Sequence, residues 1–208
     1  MADDDSGPNA DLTASREPGR REPSALVLVT GSPGAGKTTL ARAVAAKLGL
    51  PLLTKDDIKE TLADSLDVAG AEWSQRLGAT SFVLLARLAV HLLDAGVSLV
   101  CEGNFAPGIE SDLTQMLRDP VARGDVRVVQ FLCHADGQTL FARYRDRTAR
   151  HPIHLDADHV ADPRFRRRLE TRPEALALAG DVLAIDTTVP DSVDIGALCR
   201  RVRRALER

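Results

Sequence analysis

Gly31-Ser32-Pro33-Gly34-Ala35-Gly36-Lys37-Thr38 matches the pattern G-x-x-x-x-G-K-[ST] at every fixed position. In that pattern a glycine-rich turn aims successive backbone N–H groups at phosphate oxygens, and the helix that follows adds the positive potential of its N-terminus. The flanks agree. Ala25-Leu26-Val27-Leu28-Val29 before the run reads as a buried parallel strand, and Thr39 to Leu48 after it has helical spacing and propensity. Strand, loop and helix in that order imply a bound nucleoside triphosphate. Gly31, Ser32, Pro33, Gly34, Ala35 and Gly36 are the candidate cradle, and Lys37 is placed to neutralise the β- and γ-phosphates. The Thr38 hydroxyl is the candidate Mg²⁺ ligand, and Thr39 the candidate partner of the α-phosphate.

A chain of 208 residues holds one α/β domain with a full core and is short for two. Residues 1–23, rich in Asp, Pro, Gly and Arg, show no apolar periodicity and read as a disordered tail, leaving 24–208 as the folded domain. That tail has neither the basic start nor the apolar middle of a signal peptide. A net charge of −3 demands neither a nucleic acid nor a membrane surface as partner. Cys101, Cys133 and Cys199 are odd in number and widely spaced, which fits a reduced, cytoplasmic setting. The longest apolar run, around 82–93, is broken by Arg87 and His91, so no membrane span is expected.

Five apolar runs have strand character, at 25–30, 51–53, 97–101, 126–132 and 182–185. Helical patterns fill the gaps at 37–48, 57–65, 71–95, 109–118, 136–149, 163–170 and 192–207. Such alternation predicts a five-stranded parallel sheet with right-handed crossovers and helices on both faces. Ligands of these sheets bind beyond the carboxyl ends of the strands, where strand order reverses. Polar residues stand at those ends: the phosphate loop, then Thr54 to Glu60, then Glu102-Gly103-Asn104, then Asp186-Thr187-Thr188.

The phosphate loop, Asp56-Asp57-Ile58-Lys59, Glu102-Gly103-Asn104 and the arginine-rich segment ending Arg150-His151-Pro152 together resemble the small P-loop kinases. More narrowly they are similar to the AAA-type kinases, a group that embraces polynucleotide 5′-hydroxyl kinases, chloramphenicol phosphotransferase and zeta-toxin-like sugar-nucleotide kinases. The resemblance covers about 25–200 and implies a P-loop NTPase fold, ATP and Mg²⁺ as cofactors, and a hydroxyl as phosphoryl acceptor. By position it makes Asp56 the carboxylate that meets the acceptor hydroxyl, and Lys59 the counterpart of an arginine in polynucleotide kinases. It puts Glu102 where relatives hold the Mg²⁺ shell with Asp, leaving metal or acceptor as its partner, and makes Asn104 an acceptor contact. Asp57, three residues before Glu60, has the spacing of a helix cap.

Arg143, Arg147 and Arg150 fall at i, i+4 and i+7, so a helix through them would present three guanidinium groups on one face. This resembles a kinase lid, spanning about 143–172. Arg143 is then expected near the nucleotide base, with Arg147 and Arg150 near the γ-phosphate. His151, His154 and His159 match no closed zinc spacing, and His151 and His154 are candidate substrate contacts on a lid tip or acceptor loop. The run Arg164-Phe165-Arg166-Arg167-Arg168 with Arg172 reads either as a phosphate-binding surface or as a solvated helix face.

The leading expectation is an ATP-dependent kinase acting on a hydroxyl of a small molecule such as a sugar, nucleoside or antibiotic. Low aromatic content ranks this above a polynucleotide 5′-hydroxyl kinase. An NTP-hydrolysing switch or a non-catalytic nucleotide-binding module is the alternative of another class. The sequence shows no guanine-selecting Asn-Lys-x-Asp run in support of the switch.

Overall fold

A computed structural model describes residues 22–105, 111–147, 150–189 and 191–207. Most of the expected tail therefore lies outside the described residues. The elements run β1 (Ser24–Gly31), α1 (Lys37–Leu48), β2 (Leu52–Thr54), α2 (Lys55–Leu66), α3 (Ala71–Asp94), β3 (Leu99–Glu102) and α4 (Ser111–Arg123). Then come β4 (Val126–His134), α5 (Gly137–Arg145), a 3₁₀ turn (Pro152–His154), α6 (Asp156–Ala161), α7 (Pro163–Leu169), β5 (Gly180–Asp186) and α8 (Ile195–Leu206).

The strands form one five-stranded sheet in the order β2-β3-β1-β4-β5. Every neighbouring pair is parallel, with Leu26 opposite Leu99 on one side of β1 and Val128 on the other. All eight residues of β1 are buried, as a strand covered on both faces requires. Its side chains alternate between two cores. Ala25, Val27 and Val29 join Val44, Leu140, Leu198 and Val202 under α1, α5 and α8, whereas Leu26 and Leu28 join Leu85, Ala89, Leu99 and Leu117 under α3 and α4. From β1 the chain builds β2 and β3 to one side and then crosses to β4 and β5 on the other, so order reverses at the carboxyl end of β1. The phosphate loop sits at that reversal.

Differences from the sequence expectations have local causes. α2 starts at Lys55, two residues early, because Thr54 is its N-cap and its side chain accepts the Asp57 N–H at 3.0 Å. Asp57 is thus the third helical residue and not the cap. α4 runs on through Pro120 to Arg123, where Val121 still packs on the core beneath and Gly124 turns the chain at φ 81°. α5 stops at Arg145, so the long helix expected over 136–149 does not form, and Arg147 and Arg150 sit on the segment beyond it. The 3₁₀ turn and α6 occupy a stretch expected to be loop.

α3 is long and apolar enough to cross a membrane by length and composition, with a window of mean hydropathy 1.5, which corrects the expectation that no run reaches that threshold. Its inner face, Leu77, Ser81, Leu85, Ala86, Ala89 and Leu93, is packed within the protein. Burial of such a stripe is what makes a long helix a core element.

Candidate active site

The phosphate loop leaves β1 at Gly31, whose φ of 146° and position against β4 only glycine tolerates: a Cβ there would lie 2.1 Å from the Cys133 carbonyl oxygen. At its other end Gly36, with φ 69°, is the N-cap of α1. Ser32 and Pro33 between these ends, and Lys37, Thr38 and Thr39 in the first turn of α1, line a cleft of about 1270 Å³, while Ala35 is fully buried. Lys37 Nζ donates to the Ser32 carbonyl at 3.1 Å. Burial pushes the pKa of this ammonium down, and the nearby Glu102 and Asp56 carboxylates resist that shift.

Across the cleft stand residues from two other strand ends, those of β2 and β3. Glu102 closes β3, where it is 3% exposed, and accepts a hydrogen bond from the Thr38 hydroxyl at 3.3 Å. Desolvation raises its pKa, offset in part by Lys37. A buried carboxylate beside a hydroxyl, with its negative charge poorly solvated, is an oxygen donor set suited to a hard divalent cation. Asn104 is exposed on the same rim, and Phe105 lies buried behind it.

Asp56 lies in the first turn of α2. Its carboxylate takes Lys55 Nζ on Oδ1 at 3.3 Å and Arg150 Nη2 on Oδ2. Burial works against ionisation here, yet the Lys55 and Arg150 charges win and hold the pKa at about 2. Lys55 has no counterpart among the sequence candidates, although it adjoins Asp56. It is 8% exposed, lines the cleft, and stands 5.7 Å over the Phe82 ring.

One face of α2 carries the rest of this wall. Asp56, Lys59, Glu60, Ala63 and Asp64 recur at i, i+3, i+4, i+7 and i+8, the period that aligns residues on one side of a helix. Each meets the segment 150–154. Lys59 Nζ donates to the Ile153 carbonyl at 3.1 Å and to Ser74 Oγ at 2.8 Å. Glu60 pairs with His154 Nε2 at 2.7 Å, Asp64 with His151 Nε2 at 2.9 Å, and Ala63 packs with Ile153. Desolvation brings the Lys59 pKa down to about 8, and lowers that of His154 with help from Arg150.

The candidates divide accordingly. Lys37, Thr38, Thr39, Asp56, Lys59, Glu102, Asn104, Arg147, Arg150 and His154 all line one cleft. Arg143 and His151 do not. Arg143 is committed to the Thr187 and Thr188 carbonyls, at 2.9 and 3.0 Å, and ties α5 to the loop after β5. His151 caps the 3₁₀ turn, its Nδ1 accepting the Ile153 N–H. Arg147 stacks over the Tyr144 ring at 5.2 Å, and Arg168 and Arg172 also reach the cleft. Ser74 and Tyr144 were not picked out from the sequence, and Glu60 was named there only within the strand-end stretch and as a cap partner, since the contacts of all three run across the fold.

The AAA domain family matches residues 26–171, which span the phosphate loop, both cleft walls and α7. A candidate kinase from Chloroflexus aurantiacus is 35% identical, with a TM-score of 0.77 over 89% of this chain and 99% of that one. The APS kinase of Mycobacterium tuberculosis, solved with AMPPNP and APS, shares the fold at 19% identity, covering 90% of this chain and 99% of that one with a TM-score of 0.55. An uncharacterized protein of Mycobacterium tuberculosis is 29% identical over 117 residues, 53% of this chain. The chain spans 23% of the length of the curated relatives it matches. With its phosphate loop at the sheet's reversal point and its acidic wall opposite, the chain belongs to the AAA domain family and has the fold of the small P-loop kinases.

Proposed function

We propose that the protein transfers the γ-phosphoryl group of ATP to a hydroxyl of a small molecule. One observation carries this reading: Lys37 and Thr38 of the phosphate loop and the Asp56 and Glu102 carboxylates line a single cleft, with the Thr38 hydroxyl donating to Glu102. A phosphate-binding half and a carboxylate half are the two parts that phosphoryl transfer to an alcohol requires.

In this reading the backbone of the phosphate loop and Lys37 hold the β- and γ-phosphates. Asp56 orients the acceptor hydroxyl and takes its proton as the new P–O bond forms. A carboxylate with a pKa of about 2 is a weak base, which suits a role of positioning with late proton transfer. Once Arg150 moves from Asp56 to the phosphates, that carboxylate loses a counter-charge and becomes more basic. Arg147 and Arg150 offset negative charge on the transferring group, on a lid taken as about 143–172. Thr38 and Glu102 would hold Mg²⁺, which supplies charge neutralisation at the phosphates when bound. Three buried free thiols fit a reducing, cytoplasmic setting.

The choice of a small molecule rests on the cleft's aromatic residues. Phe105, Tyr144 and Phe165 line it, but all three are at most 5% exposed and leave no open ring face for a splayed base to stack on. The acceptor side is instead made of Lys59, Ser74, Asn104, Glu60 and His154, groups that hydrogen-bond a polyhydroxylated molecule. The test is a screen with γ-labelled ATP against pools of sugars, nucleosides, aminoglycosides and a 5′-hydroxyl oligonucleotide. Label transferred to a small-molecule pool is the expected result. Label on the oligonucleotide alone would move the protein to the polynucleotide kinases, and label only in inorganic phosphate would remove it from the kinases.

A further inference from the structure

We infer that Asp156 is the positioning residue for Arg150, holding its guanidinium in the cleft so that it can serve the terminal phosphate of a bound nucleotide. This rests on the nucleotide-binding part of the function proposed above. Asp156 opens α6, a helix absent from the sequence expectations. Its Oδ1 accepts two hydrogen bonds, from the Tyr144 hydroxyl at 2.7 Å and from Arg150 Nη1 at 3.2 Å. The other guanidinium nitrogen of Arg150, Nη2, reaches Asp56 Oδ2. The fork is therefore pinned from two sides, by a carboxylate of the lid side and one of the acceptor wall.

Only one of these pins has to open for the reaction. When a phosphate oxygen draws Nη2 from Asp56, Nη1 keeps Asp156, so the guanidinium turns about a fixed partner instead of swinging into solvent. The fixed partner is itself braced. Tyr144 is 2% exposed, with its ring 4.5 Å from that of Phe165, so the phenol that fixes Asp156 is rooted in the core. The residue before Asp156 is Leu155, whose φ of 54° is a conformation that a branched side chain adopts at some cost. That bend turns the chain from the 3₁₀ turn into α6. Meanwhile Asp156 Oδ2 is buried with no hydrogen-bond partner among the described residues. An unsatisfied carboxylate oxygen and a left-handed leucine both lower stability, so this arrangement is a poor one for holding the fold together.

Asp156→Asn keeps the shape and the acceptor oxygen for Tyr144 but removes the charge that fixes Arg150. The experiment measures Kd by calorimetry for AMPPNP and for ADP, with Mg²⁺, in the wild type, D156N, Y144F and D156E. If Asp156 positions Arg150, the preference for AMPPNP over ADP falls about fivefold or more in D156N, because an oriented charge-assisted contact to the extra phosphate is lost. Y144F falls in the same direction by less, and D156E regains part of the preference. Simple electrostatics predicts the opposite sign, since removing a negative charge near the phosphates tightens the more anionic ligand. A D156N preference that is unchanged or increased, or equal weakening of both nucleotides, overturns the inference. A wild-type protein that binds neither nucleotide overturns the nucleotide reading itself, a result distinct from D156N behaving like the wild type.

Discussion

In the proposed function three side chains, Lys37, Asp56 and Glu102, carry the chemistry, and burial together with neighbouring charges sets the ionisation of each. Burial lowers the Lys37 pKa against the opposing pull of Glu102 and Asp56, so Lys37→Met removes the proposed phosphate contact and takes from Glu102 the main charge that offsets its desolvation. We expect turnover with ATP to fall by about 10²-fold or more, read from kcat, with weaker AMPPNP binding by calorimetry. Asp56 gives a pH prediction. Its folded-state pKa of about 2 lies below the ordinary 3.8, so the stability it contributes is complete above pH 3.8 and is lost as pH falls toward about 2. Urea unfolding between pH 5 and pH 2.5 should therefore show a shallower acid loss in Asp56→Asn than in the wild type. The phosphate loop residues were legible in the sequence because their spacing is a local constraint. The parts played by Glu60 and Ser74 were not, because they exist only through the His154 and Lys59 side chains that the fold brings to them.

Element boundaries decide where those side chains point. Thr54 caps α2 and so sets the start of the turn that carries Asp56. Thr54→Ala removes the acceptor of the Asp57 N–H, and a loss of about 1 kcal/mol is expected in the free energy of urea unfolding, together with a kcat reduction beyond what the unfolded fraction explains. The helix positions themselves were readable from apolar periodicity, as α1, α3 and α7 show. What periodicity missed was the arginine arrangement. A helix continued past Arg145 would have put Arg143, Arg147 and Arg150 on one face, but the chain leaves the helix there, and Arg150 is brought to Asp56 by the segment that docks on α2. Five residues of α2 meeting 150–154 are a tertiary pattern, visible in sequence only once the two stretches are known to touch.

At the scale of the molecule, the central strand both builds the core and delivers the loop. Leu26 and Leu28 are at most 1% exposed within the α3/α4 core, on the face away from the α1 side of the sheet. Leu26→Ala should destabilise by about 2–5 kcal/mol in urea unfolding while leaving kcat per folded molecule within twofold, since Leu26 itself lines no part of the cleft. The strand count and their parallel pairing followed from five apolar runs separated by helices, and the site's location from the reversal rule. The acceptor did not follow, because the cleft wall proposed to receive it is made of side chains from α2, α3, the β3 end and the 150–154 segment, whose meeting no single stretch records. In the proposed function Asp56 acts on an acceptor hydroxyl opposite a separate phosphate-binding half. The most direct test of that role is the rate of label transfer from γ-labelled ATP to an acceptor found by the screen, in wild type and Asp56→Asn, with AMPPNP affinity measured on the same proteins. A loss of about 10²-fold or more in transfer is expected, with the AMPPNP Kd within about threefold. Transfer by Asp56→Asn at close to the wild-type rate would contradict it.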